Sequence, residues 1–174
     1  YETASAVFDV AVHGALYFVF DGSSSTLTAD IRSTVADLST TAYLKITGQI
    51  SDAYTTFFTE INSAIDNAPC LVELDLSELT TTASDKKATQ NHFQDCTRLS
   101  SISLPNDLTA IGYCTFKDCT NLTSVTFGTG IQSIGADSAF QGCTALVSVT
   151  FPDSAPLALI DSTSFQDCSS LQSL

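Results

Sequence analysis

Four cysteines, Cys96, Cys119, Cys143 and Cys168, fall 23, 24 and 25 residues apart, and a period of that length belongs to solenoids. Three residues before each stands Phe93, Phe116, Phe140 or Phe165, and three residues after it Leu99, Leu122, Leu146 or Leu171. The next apolar positions are Ile102, Val125, Val149 and Leu174, then Leu104, Phe127 and Phe151; Ile111, Ile134 and Ile160 recur before the following Phe. Each unit therefore reads Phe-x-x-Cys-x-x-Leu-x-x-Ile/Val-x-Leu/Phe. Alternation around Ile102 predicts a short strand in every unit, with alternate side chains pointing into the solenoid and the others out. Pro105 and Pro152 sit just past the strands, where a missing ladder donor costs least, and Gly112, Gly135 and Gly142 punctuate the return path. One unit cannot bury its own apolar face, so neighbours must stack into a continuous parallel sheet at about 4.8 Å per rung.

The pattern Cys-x-x-Leu-x-x-Ile-x-Leu-Pro, Ile-Gly and Phe-x-x-Cys is carried by Ser101-Ile102-Ser103-Leu104-Pro105, Ala110-Ile111-Gly112, Ser133-Ile134-Gly135 and Ala139-Phe140-Gln141-Gly142-Cys143. It resembles the BspA-like leucine-rich repeats of bacterial and protist surface proteins, strongly over residues 93–174 and by extension before them. The resemblance implies an α/β fold, a leucine-rich repeat solenoid (a right-handed β-α superhelix) with a parallel concave sheet.

Upstream, Leu71, Leu74 and Leu76 repeat the strand motif, with Ala68 at the Cys position and Ile65 at the Phe position. Leu44, Ile46 and Ile50, and before them Leu16, Phe18 and Phe20, alternate as strands. Between these the period becomes helical at Ile31, Val35 and Leu38, and again at Tyr54, Phe57, Phe58, Ile61 and Ile65. Ser51 or Asp52 is the expected N-cap of the second helix and Pro69 the stop after it. Residues 1–68 thus read as an N-terminal strand-helix cap, and residues 69–174 as repeats of 23–25 residues, the last incomplete. Residues 77–92 lack the usual Ile-Pro…Ala-Phe return and hold Lys86 and Lys87, so a bulged or mobile loop is expected there.

With 19 acidic and 6 basic side chains the formal charge is −13. Nucleic acid and anionic lipid are therefore not expected partners, because both are gripped by Lys and Arg. An apolar fraction of 44% against 14% charged residues is that of a folded domain. The longest apolar stretch, Ala6 to Phe20, is broken by Asp9 and His13 and is too short to span a membrane. No basic segment followed by an apolar one opens the sequence, so any signal peptide is expected to have been removed already. The lack of Met and Trp and the abundance of Ser and Thr suit a secreted or cell-surface protein, with a periplasmic location as a further possibility.

Six cysteines in an exported chain suggest disulfides, but successive ladder positions point their side chains alongside each other rather than towards each other. Free buried thiols are expected on the ladder, and Cys70 and Cys114, off it, are the better candidates for redox chemistry. No Cys-x-x-Cys pair or second ligand near His13 or His92 supports a metal site, and no cofactor motif is present. His13 and His92 are the only imidazole bases available to a hydrolase, and neither sits in a catalytic motif. Asp66 with Glu73 or Asp75 reads more simply as a solvated acidic face than as an acid–base pair.

What remains is the outward row of the sheet. Alternation puts Tyr17, Tyr43, Glu73, Ser101, Ser124 and Ser148 in one column, and Val19, Lys45, Asp75, Ser103, Thr126 and Thr150 in the next. The hydroxyls at the C-terminal end suit β-propensity and solubility. Tyr17, Tyr43, Lys45, Glu73 and Asp75 are the residue types that make recognition contacts. The expected function is a non-enzymatic protein-binding module. The resemblance implies adhesion, with extracellular-matrix proteins such as fibronectin or fibrinogen, or other bacteria, as targets. The alternative is a structural, self-assembling protein that forms a homo-oligomer through its C-terminal repeat.

Overall fold

The computed structural model describes residues 9–11, 15–22, 29–33, 40–135 and 137–174, the first two segments by their backbone alone. In chain order these residues form β1 (Asp9–Ala11), β2 (Ala15–Gly22), β3 (Ala42–Ile50), α1 (Tyr54–Ile65), β4 (Val72–Asp75), β5 (Leu79–Thr81) and β6 (Lys87–Gln90). There follow β7 (Leu99–Ser103), β8 (Ala110–Tyr113), β9 (Ser124–Thr126), β10 (Ser133–Ile134), β11 (Ser148–Thr150) and β12 (Leu159–Ile160). The main sheet runs β1-β2-β3-β4-β7-β9-β11, with β5 also paired to β3. All of its pairings are parallel except β1 with β2. A second parallel sheet, β12-β10-β8-β6, is built from the return paths. Its Ile111 and Ile134 close the core opposite Ile102, Val125 and Val149.

Between the second sheet and the next main-sheet strand the chain makes the Phe-x-x-Cys turn. Phe93, Phe116, Phe140 and Phe165 stack face to face, with centroids 5.2, 5.0 and 5.1 Å apart and planes within 6° of parallel. The residue before each cysteine takes a left-handed conformation: Asp95, Asp118, Gly142 and Asp167 have φ of 60°, 58°, 74° and 60°, values that Asp and Gly tolerate better than bulky residues. At Gly142 a Cβ would press on the Asp118 carboxylate of the preceding repeat, which would have to turn aside, and the positive φ adds strain for a residue with a side chain.

All six cysteines are free. Each of three ladder thiols donates to the Phe carbonyl of the preceding repeat: Cys119 to Phe93 at 2.9 Å, Cys143 to Phe116 at 3.0 Å and Cys168 to Phe140 at 3.1 Å. The neighbouring Cys119 sulfur, together with burial, pushes the Cys143 thiol well above its ordinary range, and Cys143 does the same to Cys168. Such thiols are poor nucleophiles.

At the N-terminal end the ladder gives way to a helix. Tyr54, Phe57, Phe58, Ile61, Ala64 and Ile65 of α1 are buried, and Phe58 packs on Phe93 at 5.5 Å. The 3.6-residue period at these positions is met as expected. The expected capping is not: the N-cap is Ala53, with no side-chain bond, and Ser51 and Asp52 lie outside the helix. Asp52 instead offers its carbonyl to Thr81 Oγ1 at 2.6 Å, which ties the helix entry to β5. Of the first helical pattern, residues 29–33 are helical and Ile31 is buried, whereas Val35 and Leu38 lie outside the described residues.

Two further expectations are corrected. Residues 77–92 form β5 and β6, one in each sheet, rather than a loose loop. The pattern failed to show this because the lysines suggested solvent, but Lys86 reaches Asp107 at 2.7 Å. The strand rung opposite Leu99 is Val72, fully buried, and not Leu71; a register shift between Val72 and Glu73 absorbs the difference.

Truncating a stacked ring removes contacts to both neighbouring repeats. Phe116→Ala or Phe140→Ala is expected to destabilise the domain by about 3–5 kcal/mol, and an unchanged denaturation midpoint would contradict the stacked register. Titration with a thiol reagent should find the ladder cysteines silent in the native protein and all four reactive once it is denatured without reductant.

Candidate functional site

β3 and β4 pair in register, Tyr43 beside Glu73 and Lys45 beside Asp75. The two columns continue through Ser101 and Ser103, Ser124 and Thr126, and Ser148 and Thr150. The expected columns hold across these five strands. They fail at β2, where Tyr17 pairs with Lys45 rather than Tyr43, and Val19 with Thr47. Tyr17 therefore belongs to the Lys45–Asp75 column; its side chain lies outside the described ones. The helical segment between β2 and β3 breaks the repeat spacing, so the register there follows from the pairing and cannot be counted from the period.

The Tyr43 hydroxyl donates to Asp75 Oδ2 at 2.8 Å, across the diagonal of the sheet. Lys45 Nζ lies 3.5 Å from the same oxygen and 2.7 Å from Glu78 Oε1. Asp75 Oδ1 accepts the Ser77 N–H at 2.9 Å. Burial pushes the Asp75 carboxyl up, but the bonds from Ser77 and Tyr43 and the charge of Lys45 outweigh it and hold the group below its ordinary value. The hydrogen bond to Glu78 leads in keeping Lys45 protonated above its usual range. Glu73 stands exposed beside this cluster. The result is a polar patch with an ordered phenol, held by strands on both sides. Glu78 is a member the columns did not include, because it sits in the turn after β4 and its partner Lys45 is 33 residues away.

A second network has no signature in the sequence. The buried Tyr54 hydroxyl bonds to Asp107, which also takes Lys86 Nζ at 2.7 Å. Burial, then the bond to Asp107, raises the Tyr54 hydroxyl far above its ordinary range. These three residues come from the helix, the β5–β6 connection and the turn after β7, so only the folded chain brings them together.

The two histidines separate cleanly. His13 lies outside the described residues. His92 is buried beneath α1, with Nδ1 3.0 Å from Thr59 Oγ1 and Nε2 accepting the Gln90 N–H at 3.2 Å. The Gln90 bond makes Nε2 the acceptor and Nδ1 the protonated nitrogen. The ring is edge-on to Phe58 at 6.3 Å, and burial lowers its pKa from 6.5 to about 4. It is a packing histidine. Among the described residues no group of three or more His, Cys, Asp or Glu is placed to hold a metal ion, and no helix is long and apolar enough to cross a membrane.

Because folding lowers the affinity of His92 for a proton, its contribution is complete above about pH 6.5 and is lost as the pH falls towards 4. Denaturant titrations at pH 7 and pH 4 should show His92→Gln losing about 2 kcal/mol less than wild type across this interval. Identical losses would place the ring in water.

The repeat geometry agrees with a family comparison. The family model described as "BspA type Leucine rich repeat region (6 copies)" matches residues 86–174, just over half of the chain. Among solved structures, a crystal structure of a leucine rich repeat protein of T. pallidum aligns with 96% of this chain and 88% of its own, at 15% identity and a TM-score of 0.36. No curated relative matches the chain. The chain belongs to the BspA-type leucine-rich repeat family.

Proposed function

We propose that this chain is a non-enzymatic adhesion module, secreted or displayed at a cell surface, that binds a protein partner through Tyr43, Lys45, Glu73 and Asp75, with Tyr17 at the margin of the patch. The family suggests a protein–protein interaction repeat module, is typically non-enzymatic and is typically found on surfaces or secreted. The observation that carries the proposal is the Tyr43–Asp75–Lys45–Glu78 network. It holds an aromatic ring and several charges in place before a partner arrives, which reduces the ordering cost of binding. Extracellular-matrix proteins such as fibronectin or fibrinogen are the proposed targets. Residues 1–68 serve as the cap that keeps the first repeats of 69–174 in register beneath the patch.

Immobilised fibronectin and fibrinogen provide the test. Tyr43→Ala combined with Asp75→Ala should weaken binding by more than about 2 kcal/mol, whereas Ser124→Ala with Ser148→Ala should leave it unchanged. An affinity that survives the first pair and is lost with the second would move the site along the sheet, and a wild-type chain that binds neither protein would remove these targets.

A further inference from the structure

Helix α1 meets the second sheet along one face. Thr55 and Thr59, one turn apart on that face, reach β6 and the turn after it. Thr55 Oγ1 donates to the Lys87 carbonyl at 3.0 Å and lies 3.3 Å from Thr89 Oγ1, and Thr59 Oγ1 lies 3.0 Å from His92 Nδ1. Thr59 Oγ1 also donates to the Thr55 carbonyl at 3.0 Å, so its proton is committed and its lone pair takes the Nδ1–H. On the far side of the ring Nε2 accepts the Gln90 N–H at 3.2 Å. Both ring nitrogens are thereby assigned, and only a neutral imidazole protonated at Nδ1 fits between a lone pair and an N–H. Phe58, from the same helix, stands edge-on to the imidazole and packs on Phe93 at 5.5 Å.

A second proton has no acceptor here. It goes to Nε2 and sets two donors against each other, Nε2–H and the Gln90 N–H, where burial shuts out water. The ring must then leave its place, and its bonds to Thr59 and Gln90 go with it. The titratable groups nearest in sequence on the packed elements are Glu60 on α1, Lys87 on β6, Tyr113 on β8 and Asp95 in the turn after the ring. Burial alone, and none of their charges, lowers the pKa of His92, so no carboxylate holds the cation in the site. We propose that His92 is an acid latch: neutral, it fastens α1 to β6 and the turn that follows; protonated, it releases the helix while the repeats stay folded.

Solenoid units contact only their neighbours, so one end can open by itself. Release takes Phe58 off Phe93 and bares the first ring of the stack, whereas Phe116, Phe140 and Phe165 rest on one another. Asp107, bonded to Tyr54 at the start of α1, is the other titratable group that fastens the helix, and a change at His92 leaves it in place.

Hydrogen exchange at pH 7 and pH 4, corrected for the intrinsic rates, is the test. The Gln90 amide and those of α1 should open about 100-fold more often at pH 4, the ratio expected of a ring that titrates near 6.5 when free and near 4 in place. The Phe116 and Phe127 amides, bonded to the Ala139 and Thr150 carbonyls, should keep their protection. His92→Gln retains an acceptor for the Gln90 N–H but takes no proton, and should abolish the pH dependence. In the wild-type protein at pH 7, nitrogen chemical shifts should show Nδ1 protonated and Nε2 bare, a readout that needs no variant. A protonated Nε2 at pH 7 would overturn the proposal, as would Gln90 exchange that is the same at both pH values. Phe116 exchange that accelerates in step with Gln90 would also overturn it, since the whole domain would then be unfolding. A pH dependence that survives in His92→Gln would assign the opening to Asp107 instead.

Discussion

The spacing of one parallel rung governs this fold. Hydrogen-bonded strands lie about 4.8 Å apart, and the rings of Phe93, Phe116, Phe140 and Phe165 repeat at 5.0–5.2 Å. Because the two distances nearly coincide, one translation satisfies the backbone ladder, the ring stack and the thiol-to-carbonyl bonds at once. Phe127 and Phe151 repeat the arrangement nearer the main sheet, at 4.9 Å. Columns of like residues suit this translation, since each side chain then meets a neighbour of its own shape on either side.

The same translation explains the candidate site. Outward positions on successive strands fall into straight columns, so the chemistry of the exposed face can vary from rung to rung without disturbing the core beneath it. In the C-terminal repeats these positions are hydroxyls. On β3 and β4 they become Tyr43, Lys45, Glu73 and Asp75, and the parallel register brings the phenol, the ammonium and the carboxylate within hydrogen-bonding reach. Proteins read partners with such clusters when rigid elements hold them.

Where the repeat stops, different physics takes over. Helix α1 replaces a Phe-x-x-Cys turn at the N-terminal end, placing Ile65 and Ala68 in the core and Phe58 against the ring stack. The Tyr54–Asp107–Lys86 network and the bonds of His92 to Thr59 and Gln90 fasten the helix to the sheets. They satisfy polar groups that would otherwise be buried without partners.

The sequence by itself determined the repeat period, the ring and thiol columns, the helical face of α1 and the outward columns from β3 to β11, because each is a local pattern repeated at a fixed interval. Tertiary structure alone decided the register of β2, which moved Tyr17 beside Lys45, and the choice of Val72 over Leu71, since a register shift carries no periodic signal. It alone decided that residues 77–92 enter both sheets and that Glu78 meets Lys45. Those outcomes depend on contacts between segments far apart in the chain, such as Lys86 with Asp107 and Lys45 with Glu78, and a side chain's distant partner leaves no trace in the residues around it.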